Sequence, residues 1–170
     1  MGLGPSLSLE AVTARNLRDV DSVFDDLEAY SLHVDGVPRR ADAARAFVST
    51  RPPGCEPQRK HVFLARSRAC AIGLLDLIDG YPSAGTVFIG LLAIRESAQG
   101  AGFGRAFYRE AERFAREHLE ARGLRLAVVK TNPVIGFWTQ MGFHATGEVK
   151  PFRGERVLSQ AVLMEKDLST

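Results

Sequence analysis

Apolar side chains recur along the chain with two periods, and the alternation between those periods predicts its elements. Over residues 8–13, Leu9, Ala11 and Thr13 share one face against polar or small neighbours, and this period of two predicts a first strand. The period then lengthens. Leu17, Val20, Val23, Phe24 and Leu27 recur at three and four, which places one apolar stripe on a helix over about residues 18–30. Ala41, Ala44, Phe47 and Val48 repeat that spacing in a shorter helix ending before the turn RPPG. Residues 61–65 and 69–78 flank polar Arg66, Ser67 and Arg68 and predict two antiparallel strands joined by a tight turn. Residues 86–94 are β-branched, aromatic and apolar on both faces, the pattern of a central buried strand.

The second half continues in the same way. From residue 104 to about 122, Phe107, Ala111, Phe114, Ala115 and Leu119 form one stripe, with Arg109, Glu112, Arg113 and Arg116 on the wet face. Gly123 is the expected end of that helix. Residues 124–129 are a further apolar strand, and the order strand, helix, strand predicts a right-handed crossover that sets it parallel to 86–94. Asn132 is the expected N-cap of a last helix, with Pro133 at its first position and Gly142 reversing the chain after Met141. Strands over about 144–152 and 156–165 complete an α+β fold with a mixed sheet.

Composition adds limits. The chain has 170 residues, 45% of them hydrophobic and 25% charged, so residues 1–170 are expected to form one globular domain. A net charge of +2 predicts neither a nucleic-acid nor a membrane partner, and makes any anion site local. Lys occurs only at positions 60, 130, 150 and 166; the remaining cations are Arg, which suits phosphate recognition but follows equally from a GC-rich genome. Two cysteines, Cys55 and Cys70, make no disulfide framework and predict a reducing, cytoplasmic setting. The opening MGLGPSLSLE has no basic segment before an apolar run, so secretion is not expected. The longest apolar stretch, 87–94, is far short of the roughly 20 residues that span a bilayer. MGLGPS fits the M-G-x-x-x-[ST] acylation pattern and is read as a chance match on a frayed terminus. The histidines at 33, 61, 118 and 144 have no metal-ligand spacing, and no metal is expected.

The informative segment is LAIRESAQGAGFGRAF, residues 92–107, where a buried strand runs into glycines that open a long helix. A helix N-terminus offers unpaired N–H groups and a positive dipole, and glycine lets a phosphate approach the backbone. A dinucleotide fingerprint fails because Arg105 occupies its third small position, and a P-loop fails because Lys-Ser or Lys-Thr does not follow Gly104. Gln99-x-x-Gly102-x-Gly104 instead resembles the pyrophosphate-binding motif of the GNAT superfamily of N-acetyltransferases. NPVIGFWTQMGF, residues 132–143, looks like the second cofactor segment of that family, and the resemblance covers about residues 7–166.

The resemblance implies a mixed, mostly antiparallel sheet of about seven strands flanked by about four helices, its central strands splayed to hold coenzyme A. It assigns the N–H groups of Gly100, Ala101, Gly102, Phe103, Gly104 and Arg105, in the turn that Gln99 opens, to the pyrophosphate. Leu92, Ala93 and Ile94 fall to the pantetheine arm and the acyl group, with Asn132 and Phe137 approaching from the other side. The glycines also suit a plain tight turn, and Asn132 can cap and contact the arm at once. One departure stands out: where the family has a Tyr four residues before Gly-Phe to protonate the leaving thiolate, this chain has Trp138, whose indole N–H is too weak an acid. The central strand, FIGLL over 88–92, carries no carboxylate base. Asp76, between Leu74 and Ile78, is a candidate base or one half of a salt bridge; Asp79 and Tyr81 are candidates beside the substrate mouth, or members of an ordinary Asp-Gly turn.

The expected activity is therefore transfer of an acetyl group from acetyl-CoA to the amine of a small molecule or peptide, by direct attack in a ternary complex. Two other readings stand beside it: an acyl-CoA-binding regulatory module with reduced catalysis, motivated by Trp138, and a nucleotide-binding regulatory domain, motivated by the glycine turn. The closing strands are expected to pair across a homodimer, as in many relatives.

Overall fold

The computed structural model describes residues 4–169, so Met1, Gly2 and Leu3, on which the acylation pattern depends, lie outside the described residues. In chain order the elements are β1 Ser8–Ala11, α1 Leu17–Asp25, α2 Glu28–Val34, α3 Ala43–Ser49, β2 Lys60–Ser67, β3 Cys70–Asp79, β4 Thr86–Ile94, α4 Phe103–His118, β5 Gly123–Val129, α5 Ile135–Gln140, β6 His144–Arg153 and β7 Leu158–Asp167. Seven strands form one sheet in the order β1-β2-β3-β4-β5-β7-β6. All neighbours are antiparallel except β4 and β5, which the α4 crossover makes parallel.

Each face of the sheet has its own core. Phe107, Ala111 and Ala115, the buried stripe of α4, pack with Leu75, Leu77, Val87, Ile89 and Leu126 on one face. Val20, Val23 and Phe24 of α1 and Phe47 of α3 pack with Leu64 and Leu74 on the other. Phe107 is fully buried, and its ring occupies the space a side chain at Gly73 would need, since a Cβ there would lie 2.8 Å from the ring.

Three helical expectations are corrected, the first by contacts distant in sequence and the other two by local turns. The stripe over 18–30 is two helices, giving five in all, with the break at Asp26 and Leu27. The break is sewn to the turn after β4: Glu96 N–H donates to Asp26 O (2.8 Å), Ser97 N–H to the Asp26 carboxylate (3.2 Å), and Ala29 N–H to Glu96 Oε1 (2.6 Å). Helix α4 stops at His118 because Glu120 takes φ +50° and Ala121 N–H closes back on Ala115 O (2.9 Å), so Gly123 opens β5. Asn132 does not cap α5. Its own N–H closes a turn on Val129 O (2.8 Å), Val134 holds the N-cap position, and the helix begins later. Gly142 has φ +95° and ends α5 as expected.

The feature that positions a site is the separation of β4 from β5. The two strands pair from Thr86 with Gly123 to Ile89 with Leu126, and no further. At that point β4 carries a bulge. Leu77 faces Ile89 and Asp76 faces Leu91, leaving Gly90 as the extra residue, while β5 continues along β7 to Val129.

Replacing Phe107 by Ala should cost about 3–5 kcal/mol in equilibrium urea unfolding, because the cavity over Gly73 cannot collapse; a loss below about 1 kcal/mol would contradict this packing.

Candidate active site

Past Ile89 the diverging strands bound a cleft of about 600 Å³. Leu91, Leu92, Ala93 and Ile94 form one wall and Ala127, Val128 and Val129 the other, with Asn132, Phe137 and Trp138 from the α5 segment closing over them. Gln99 and Gly104 stand at the end where β4 runs into α4.

The turn at that end has the features an anion requires. Gly100 and Gly102 adopt φ +80° and +83°, which side-chain-bearing residues rarely do, and nothing lies within 4 Å of a Cβ built at Gly100. Among the described residues, the N–H groups of residues 100–105 donate to no carbonyl; Ala106 is the first to do so, to Gly102 O (3.2 Å). These donors point from the positive end of a 16-residue helix. Arg105 and Arg109, on its first two turns, form no ion pair among the described residues, whereas Arg113 and Arg116 are taken by Glu110, Glu117 and Glu112. A diphosphate group fits this chemistry.

The structure therefore gathers Leu92, Ala93, Ile94, Gln99, Gly104, Asn132, Phe137 and Trp138 around one cleft, with Gly100, Ala101 and Gly102 in the turn beyond its mouth. Gln99 is committed to the backbone: its Nε2 donates to Ile94 O at 2.9 Å and closes the turn. Phe103 turns its ring into the core, and Arg105 faces a separate groove along α4. Trp138 is 7% exposed and meets Phe137, Phe143 and Tyr108 edge to face at centroid distances of 5.0, 5.3 and 6.0 Å. Its indole is a packing surface of the cleft.

Tyr108, behind Trp138, is not oriented to replace the missing Tyr. Its hydroxyl donates to Glu112, which also accepts from Lys166 (2.7 Å). Burial, and then that hydrogen bond, push the Tyr108 phenol well above its ordinary range. Burial opposes the Glu112 charge, but the hydrogen bonds from Lys166 and Tyr108 outweigh it and hold the carboxyl low.

Of the three catalytic candidates, Asp76 comes nearest the cleft. Its Oδ2 lies 2.7 Å from Lys60 Nζ, and both side chains are nearly inaccessible, at 13% and 4%. Oδ1 has no partner. Burial raises the Asp76 carboxyl above the usual range despite the pull of Lys60. A Cβ at Gly90 would lie 2.5 Å from Oδ2, so the missing side chain at that cleft-lining residue is what admits the carboxylate. Asp79 pairs loosely with Arg59 (3.5 Å), and Tyr81 packs edge to face on Phe88 (5.5 Å); none of the three candidates lines the cleft itself.

Several lining residues carry no local signal in the sequence. Tyr30, His33 and Val34 of α2 and Phe152 of β6 reach the cleft only through tertiary packing. Lys60, behind the cleft wall, carries a faint one, a lysine entering an apolar strand in a chain whose cations are mostly Arg. Among the described residues no helix is long and apolar enough to cross a membrane, and no group of His, Cys, Asp and Glu is placed to hold a metal ion.

Comparison with known proteins agrees with this geometry. An acetyltransferase from Thermus thermophilus superposes with a TM-score of 0.72 at 28% identity, over 96% of this chain and 97% of that one. Spermidine N-acetyltransferase from Vibrio cholerae, solved with CoA and spermine, superposes with a TM-score of 0.74 at 19% identity, covering 96% of each chain. A Bacillus subtilis acetyltransferase solved with CoA gives 0.64 at 19% identity, over 95% and 97% of the two chains. No protein of curated function matches the sequence. A family model described as the acetyltransferase (GNAT) family matches residues 22–143, most of the length, and the chain belongs to that family of acetyltransferases.

Proposed function

We propose that this acetyltransferase moves an acetyl group from acetyl-CoA to a primary amine by direct attack within a ternary complex. The observation that carries this reading is the cleft between β4 and β5, which opens at one end onto the undonated N–H groups of the first turn of α4. Acetyl-CoA supplies the activated thioester; the remaining work is positioning and charge management by the chain.

In this reading the N–H groups of residues 100–105 hold the pyrophosphate, with the positive end of α4 adding its dipole. The unpaired edge of β4 at Leu92, Ala93 and Ile94 binds the pantetheine arm, and Asn132 and Phe137 cover it. Strand N–H groups near Leu92 and Ala93 stabilise the negative charge that develops on the carbonyl oxygen. Asp76, whose Lys60-paired Oδ2 lies against Gly90, takes the amine proton across the gap there. Tyr81 supports Phe88 at the amine side, and Asp79 holds Arg59 there. Trp138 shapes the thioester pocket, and the sulfur departs without a tyrosine acid. That substitution also favours a second reading, an acyl-CoA-binding module that turns over slowly or not at all. The proposed enzyme is one domain working in the cytoplasm, where acetyl-CoA is made. Exposed Val149 and Leu158 on the β6–β7 hairpin support its pairing into a homodimer.

Substitution of Gly104 by Val tests the cofactor assignment without backbone strain, since Gly104 has an ordinary φ and a Cβ there meets only the Phe137 ring, at 3.5 Å. Calorimetric titration should show coenzyme A affinity reduced by about tenfold or more in a protein that remains folded; unchanged affinity would remove the assignment.

The pH dependence follows from the raised Asp76 carboxyl. A protonated acid accepts no proton, so kcat should fall as pH drops through a value above the ordinary carboxylate range. Asp76→Asn should lower kcat by about a hundredfold and remove that limb, with KM for acetyl-CoA unchanged. Because Asn leaves Lys60 buried without a counter-charge, Asp76→Asn combined with Lys60→Met should regain stability but not kcat. Full activity in either variant would return the pair to a structural role.

A further inference from the structure

The end of the cleft away from α4 has a chemistry of its own. It is walled by Tyr30, His33 and Val34 of α2, Phe88 and Leu91 of β4, and Phe152 of β6. Four of these six are apolar outright, and Tyr30 and His33 present an aromatic face with one polar edge. The Tyr30 hydroxyl has no hydrogen-bond partner among the described residues, while burial, and then the Asp35 charge, push its ionisation up to about 12, so it stays a neutral donor.

Charge is scarce here. Glu96 is the one carboxylate lining the cleft among the described residues, and its Oε1 already accepts the Ala29 N–H at 2.6 Å. Asp76, beneath Gly90, is offset by Lys60. No Arg or Lys lines the cleft among the described residues. A second ammonium on the acceptor would therefore enter an apolar wall whose one lining carboxylate, Glu96, is already bonded to the Ala29 N–H, and a carboxylate on it would find no lining guanidinium.

The wall is also built in advance. Thr131 Oγ1 donates to His33 O, and Arg156 N–H donates to Asp35 O (2.7 Å). Gly154 packs so closely on Val34 O that a Cβ there would sit 2.3 Å away. Helix α2 is thus clamped between the turn after β4 and the β6–β7 hairpin. An apolar pocket whose shape is fixed before binding selects by what it leaves unsatisfied.

We infer that the acceptor is a monoamine carrying an aromatic or branched aliphatic substituent and no second charge, seated with that substituent among Tyr30, Phe88 and Phe152. This rests on the transferase reading above. In the reaction the amine nitrogen bonds to the acetyl carbon, the carbon–sulfur bond breaks, and the amine proton passes to Asp76, so no further reactant is required.

The test compares phenethylamine, spermidine and phenylalanine as acceptors for the wild-type protein with acetyl-CoA, following release of free thiol, alongside calorimetric titration with coenzyme A. Phenethylamine should exceed both others in kcat/KM by about tenfold or more. Phe152→Glu should shift the ratio of phenethylamine to spermidine by about tenfold toward spermidine, with coenzyme A affinity unchanged. Coenzyme A binding together with equal or better use of spermidine or phenylalanine overturns the inference and leaves the transferase reading standing. Coenzyme A binding with no amine used overturns the inference and favours the binding module, and no coenzyme A binding overturns both.

Discussion

Two parallel strands that part company halfway along a sheet create a problem in hydrogen bonding, and the rest of this molecule is organised around it. After Ile89 and Leu126, the facing edges of β4 and β5 have no partner in each other, although each strand remains paired on its outer side. A buried backbone group left unmatched costs about 1–3 kcal/mol, so such a gap persists only where the surrounding packing holds it open. Gly90 begins the separation by adding one residue to β4 opposite the Asp76–Leu77 step. Its lack of a side chain also makes room for the Asp76 carboxylate. One residue therefore both bends the strand and lets the Asp76 carboxylate lie directly behind the cleft wall.

What holds the gap open comes from both faces. On one, α4 is pinned to β3 and β4 by Phe107 over Gly73, which fixes where the helix N-terminus and its free N–H groups stand. On the other, the α1–α2 break is bonded through Asp26, Ala29, Glu96 and Ser97 to the turn joining β4 to α4. The proposed anion-binding end and the proposed acceptor end are thus fastened to the same short segment, residues 95–99. Positioning of two reactants, rather than a set of reactive side chains, is what this architecture supplies.

The seven strands, the parallel crossover and the glycine turn were all legible in the sequence because each depends on local pattern: period two, period near four, and glycine at fixed offsets. The failures have separate causes, one distant and two local. The stripe from Leu17 to Leu27 is continuous in period, and only Glu96, far along the chain, reveals where it breaks. Asn132 has the chemistry of a cap, but a turn on Val129 uses its backbone first and leaves the side chain to the cleft. Glu120 reverses the chain in a left-handed conformation that the nearby Gly123 seemed better suited to adopt. For the site, the proposed cofactor half was readable because a strand–turn–helix motif is contiguous. The acceptor half was not, since Tyr30, His33 and Phe152 meet only when α2 and the last hairpin close over β4.

The central claim is that the gap between β4 and β5, with the turn at its end, is where coenzyme A binds. Amide-resolved NMR during titration with coenzyme A tests it most directly. The account predicts shifts concentrated at residues 92–94, 100–105 and 127–132, on the two facing edges and the helix start, with the outer face of α4 around Arg113 unmoved. Shifts confined to that outer face, or none at saturating coenzyme A, would contradict it.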